Sequence, residues 1–180
     1  LERGELDAII TNAAGCGSVM KEYPDLFEHD SPWHRRARAF SSKLKDVSEF
    51  LATIELNRDL GPLPITVTYQ DSCHLLHGQK VRTPPRQMLN AIPELRFREL
   101  PLTELCCGSA GVYNVEQTEM SMSLLEQKMQ MIATTGADTI ATANPGCLLQ
   151  LRAGTDMFGS GQRVVHVVEL LDEAYRQADV

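Results

Sequence analysis

Five cysteines are spread over 180 residues, and their spacing says more than their number. The blocks are Asp71-Ser-Cys73-His74, Cys106-Cys107-Gly108 and Asn144-Pro-Gly-Cys147, with 32 residues between Cys73 and Cys106 and 36 between Cys107 and Asn144. Cys16 stands apart in Asn12-Ala-Ala-Gly-Cys16-Gly17. Thiolates are soft donors that suit zinc, copper(I) and iron–sulfur clusters. An odd count without an export signal is poor evidence for disulfides. Adjacent Cys106 and Cys107 would crowd one tetrahedral ion but can bind different irons of a cluster. Gly108 and Gly111 are candidate cofactor-binding residues, because they let backbone amides come close to cluster sulfides and raise a reduction potential. On the residues alone two readings of Cys73, Cys106, Cys107 and Cys147 stay open: a redox-active cluster, or a closed, redox-silent zinc site. A buried thiol is often only a small apolar residue, and for Cys16 that reading stands level with metal binding. His74 and His77 are expected to order the Cys73 loop or donate hydrogen bonds to sulfur. Asp71, Asn144, His166 and Glu169 are assigned structural roles at strand ends, and no residue is assigned to catalysis.

These cysteines need elements to carry them. Asp7-Ala-Ile-Ile-Thr-Asn-Ala-Ala-Gly-Cys16 reads as a buried strand (7–12) running into a turn and helix. Asp138-Thr-Ile-Ala-Thr-Ala-Asn-Pro-Gly-Cys147 repeats it in phase, with a strand at 138–143 and a helix after Cys147. Each copy is followed by Val-x-Glu-x-Leu, at Val47–Leu51 and at Val167–Leu171, so the chain contains an internal duplication. Residues 1–62 are then the tail of a first repeat whose head is missing, the start of the chain being read as a cut end. Residues 63–180 are a whole second repeat. Ser31-Pro32 is expected to cap a long amphipathic helix whose core stripe is Trp33, Ala37, Phe40, Leu44, Val47, Leu51 and Ile54. Strands at 65–69, near 97–100 and at 163–166 alternate with helices carrying Met88, Leu89 and Ile92, then Met122, Leu125, Met129 and Ile132, and finally 167–178. The methionines are placed in the core. The result is an α/β fold with mainly parallel sheets and flanking helices, and every cysteine falls beyond a strand's carboxyl end, where sites in such sheets gather.

The Cys, Cys-Cys-Gly and terminal Cys blocks, with gaps of these lengths, resemble the CCG cysteine-rich family found in heterodisulfide reductase subunits. Asp-Ser-Cys-His-Leu, Cys-Cys-Gly-Ser-Ala-Gly with Tyr113-Asn114, and Asn-Pro-Gly-Cys-Leu-Leu-Gln-Leu look most like the branch found in the iron–sulfur subunits of glycolate oxidase. Asn144 stands where the fullest form of the pattern has a fifth cysteine. That moves the implied cofactor from a noncubane assembly toward one four-iron four-sulfur cluster on Cys73, Cys106, Cys107 and Cys147, with Cys16 a ligand remnant of the first repeat. The resemblance implies an electron-transfer module of a 2-hydroxy-acid oxidase complex, inactive alone, with FAD on a flavoprotein partner and a quinone-like final acceptor. Heterodisulfide-reductase-like and lactate-utilisation proteins are the alternatives, beside a zinc interaction module.

Composition narrows the classes. A formal charge of −7 argues against nucleic-acid phosphate as a partner, and Arg35-Arg36-x-Arg38 reads as a solvated helix face. No apolar stretch reaches the roughly 18 residues that a membrane span needs. A cytoplasmic place is expected, either free or peripheral on the inner membrane beside an electron acceptor.

Overall fold

The computed structural model describes residues 6–57, 59–158 and 161–178; the start of the chain, read above as a cut end, lies mostly outside them. Two parallel sheets form. The smaller pairs β1 (Ile9–Thr11) with β2 (Leu44–Asp46), and the larger has the order β4 (Arg96–Arg98), β3 (Thr66–Gln70), β5 (Thr139–Thr142), β6 (Arg163–His166). The inner strands β3 and β5 are buried along their whole length, as expected where helices cover both faces of a parallel sheet. Alternate side chains enter two cores. Val67, Tyr69, Ala141 and Val165 pack with α4 (Thr83–Ala91) and α8 (Val167–Ala178), through Met88, Leu89, Leu170, Leu171 and Ala174. Ile140 and Val164 face the other way, against Leu125, Met129 and Ile132 of α6 (Thr118–Thr134) and Leu151 of α7 (Pro145–Phe158). Met129 is buried and Met122 packs against the same cluster, so both methionines serve the core. Among the described residues no helix is long and apolar enough to cross a membrane.

The long helix expected from Trp33 to Ile54 is not formed. Three elements take its place: α2 (Pro32–Ser41), β2 and α3 (Val47–Leu51). Ser31 caps α2 as expected, its Oγ accepting from His34 N at 3.1 Å. The helix ends because β2 gains ladder partners on β1, and Asp46 then starts a new helix. Asp46 Oδ1 accepts from Ser48 N at 2.9 Å, and Glu49 Oε2 accepts from Asp46 N at 3.3 Å, which is a capping box. The core stripe is corrected too. Trp33 is 59% exposed and stacks on Phe27, Ile54 is also exposed, and His34 turns inward instead.

The same device recurs on β6. Glu169 Oε1 accepts from His166 N at 3.0 Å, and His166 Nδ1 accepts from Val168 N at 3.3 Å. The two strand pairs also share a register. Ile9 opposes Leu44 and Thr11 opposes Asp46, as Ile140 opposes Val164 and Thr142 opposes His166.

Candidate metal centre

All five cysteines border one cavity of about 370 Å³ beyond the carboxyl ends of the strands, lined also by Gly15, His74, Gly111, Asn144 and Gly146. Cys73 follows β3 and opens onto a single π-helical turn, His74–Gly78, a distortion frequent at functional sites. Cys106 and Cys107 sit in the loop after β4. Cys147 lies in the first turn of α7, which begins at Pro145 and not after the cysteine. The proline explains the early start, since its missing N–H costs nothing there and its φ suits a helix. Cys107 and Cys147 are buried, Cys73 and Cys106 half-buried, and Cys16 exposed. Cys16, read above as a ligand remnant of the first repeat, lies on the wall of the cavity that the other four share.

Ser72, Thr142, Arg86 and Thr103, which the sequence did not single out, fix these loops together with Asp71, which it did. Ser72 Oγ and Thr142 Oγ1 are 3.2 Å apart and tie the ends of β3 and β5. Asp71, buried, accepts from Arg86 Nη1 at 3.0 Å and Nη2 at 2.7 Å, and its N–H donates to Thr103 Oγ1 at 3.2 Å. Arg86 also pairs with Glu99 at the surface. Arg86, paired with both Asp71 and Glu99, and the Asp71–Thr103 hydrogen bond thus join the segment leading to Cys73 with the segment leading to Cys106. Asn144 has the structural role expected of it: its Oδ1 accepts from Gly15 N at 3.1 Å, and its amide nitrogen lies 3.6 Å from Cys147 Sγ. His74 Nδ1 is 3.6 Å from Cys73 Sγ.

The thiols interact in series, Cys73 with Cys106, Cys106 with Cys107, and Cys107 with Cys147. Contact with Cys107 holds Cys106 well below the ordinary thiol range, helped by Cys73 and by Gly108 N–H, which donates to Cys106 Sγ at 3.3 Å. Cys147 is lowered as well, first by Cys107 and then by Asn144 and Ser72. Cys73 and Cys107 are raised, chiefly by Cys106. Two sulfurs of the row, those of Cys106 and Cys147, are thus disposed to the thiolate form that metals require. Among the described residues no three His, Cys, Asp or Glu side chains are grouped closely enough to hold a metal ion. The donors are arrayed around a cavity.

Gly108 is required by its backbone. Its φ is +93°, and a Cβ there would lie 2.4 Å from the Ser121 carbonyl oxygen. Gly108→Ala is expected to cost about 1–2 kcal/mol for the left-handed backbone alone, and more once Ser121 is displaced. The urea midpoint checks this. An unchanged midpoint would show that the turn yields freely.

Residues 67–152 match the cysteine-rich domain model named CCG. The chain is 47% identical over 94% of its length to the probable glycolate oxidase iron-sulfur subunit of Bacillus subtilis. It is 30% identical over 93% of its length to lactate utilization protein A 2 of Bacillus mycoides, of which it covers 71%. Identity to one of the subunits of the fumarate reductase (CoM/CoB) of Methanothermobacter marburgensis is 37% over 94% of the chain. The chain spans 39% of the length of the first of these relatives and 32% of the last.

Proposed function

The chain belongs to the CCG cysteine-rich domain family, and on that premise we propose that it is an iron–sulfur electron-transfer module of a 2-hydroxy-acid oxidase complex. The observation that carries the reading is the convergence of Cys73, Cys106, Cys107 and Cys147 on one cavity. Four soft donors suit a four-iron four-sulfur cluster. Their placement around a cavity, with two adjacent in sequence, favours a polynuclear centre over one zinc ion. Similarity to a protein named as a glycolate oxidase iron–sulfur subunit supports both the cofactor and the complex. When bound, such a cluster accepts and releases one electron at a time.

The protein's own residues hold the thiolates and shield them. Cys107 and Cys147 anchor the inner side, Cys73 and Cys106 the outer, and the Gly108 amide stabilises negative charge on Cys106. Gly111, with a φ of +67°, borders the same cavity and is assigned to close approach of the backbone. Hydride removal from a 2-hydroxy acid falls to a flavoprotein partner carrying FAD, with a quinone-like acceptor downstream at a membrane surface. Cys16 is assigned to the first of two CCG modules, residues 1–62, and the other four to the second, residues 63–180. The shared strand register and the paired capping boxes support that division.

Prepared without oxygen, the protein is expected to be brown, to bleach on reduction with dithionite and to recover its colour on reoxidation. A colourless protein that dithionite leaves unchanged would sink the electron-transfer reading.

A further inference from the structure

Lys128 is buried, at 1% exposure, in the middle of α6. Its hydrogen-bond partners are backbone carbonyls: Nζ donates to Leu102 O at 3.0 Å and to Thr103 O at 3.4 Å. Among the described residues no carboxylate forms an ion pair with it. An ammonium without a counter-charge is costly to bury. Burial lowers its pKa, to about 8, against the opposing influence of the acidic groups Cys107, Glu104, Cys106 and Asp71. The two carbonyls belong to the turn that leads into Cys106 and Cys107. Leu102 holds a left-handed backbone there, with a φ of 47°, a conformation that a leucine keeps only when neighbours impose it. Thr103 Oγ1 passes the connection on, accepting from Asp71 N and lying 3.1 Å from Asp71 Oδ2.

We infer that Lys128 is a positioning residue for the metal centre: its buried ammonium holds the turn that delivers Cys106 and Cys107, and supplies a positive charge that would favour an added electron on the centre those thiolates hold. The inference rests on the cluster reading of the four cysteines. The charge is the counter-ion of the thiolate row, so its removal disfavours the reduced, more negative state. Its retention on another side chain does not.

The test uses the whole chain, loaded anaerobically with iron and sulfide, as wild type, Lys128→Met, Lys128→Gln and Lys128→Arg. EPR-monitored redox titration reads the midpoint. In the Met variant the one-electron reduction equilibrium is expected to fall about tenfold, a midpoint lower by about 59 mV, with the Arg variant close to wild type. If Met does not load, Gln carries the test, since it keeps an N–H donor for the carbonyls without the charge. If both fail to load while Arg loads and keeps the wild-type midpoint, the need for charge is equally shown. An unchanged midpoint in loaded Met or Gln protein overturns the proposal, and so does loss of iron from all three variants. Iron and sulfide absent from the wild type would instead remove the cluster reading beneath it.

Discussion

Cys107→Ser is expected to leave the chain folded and to cut its affinity for iron more than about 100-fold. Removing a partner one shell outside a metal commonly costs 10–100-fold, and the loss of a ligand itself exceeds that. Cys107 is 1% exposed and stands in the middle of the thiol row, in contact with both Cys106 and Cys147. A serine there breaks the row into separated ends. The hydroxyl is a harder donor and is not deprotonated at neutral pH, so it does not replace the thiolate. Met157→Ser is the control. The residue is exposed and does not border the cavity, so iron content should stay at the wild-type level. Iron retained after competition with a chelator reads both variants. Equal retention by the Cys107 variant and the wild type would show that the ligand set is wrong.

Arg86→Leu is the second large effect expected, on stability. The guanidinium side chain is 13% exposed and the Asp71 side chain 2%, at 2.7 Å from one another. Breaking a buried pair leaves the remaining charge without compensation, which costs about 3–5 kcal/mol. The guanidinium also lies over the Tyr69 ring at 5.4 Å, so packing is lost as well. Urea unfolding of the metal-free protein should report the whole cost. Replacing Asp71 with Asn in the same chain removes the stranded charge and should restore part of the stability. A loss under about 1 kcal/mol, the value of a surface pair, would show that water screens the site. Because Asp71 and Thr103 join the two cysteine loops, the leucine variant should also load less iron.

Much of this architecture is legible in the residues, and the exceptions have physical causes. β3 is signalled by the run Ile65-Thr-Val-Thr-Tyr69, and β6 with α8 by Arg163–His166 and the helix that follows. β2 is hidden because Phe40, Leu44, Val47 and Leu51 keep helical spacing across a segment that ladder bonds to β1 hold extended. A sign was present in the repeat itself. Val167-Val-Glu169 follows a strand, and the similar Val47-Ser-Glu49 does the same. Trp33 fits the apolar stripe by spacing alone, but stacking on Phe27 and on the guanidinium of Arg36 keeps it at the surface. The cysteine rim follows from the rule that sites gather at carboxyl ends of parallel strands. Membership of Cys16 in that rim does not, because it depends on how α1 (Ala14–Lys21) is set against Asn144, through the Gly15 N–H. Lys128 had a signal of its own: a charge among Leu125, Met129 and Ile132, on the buried side of α6.

The most direct test of the central claim is the iron, sulfide and zinc content of the anaerobically purified chain, read together with its EPR spectrum after reduction. About four iron and four sulfide per chain, negligible zinc and a reducible paramagnetic signal are expected. One zinc per chain, with no sulfide and no signal, would contradict the account.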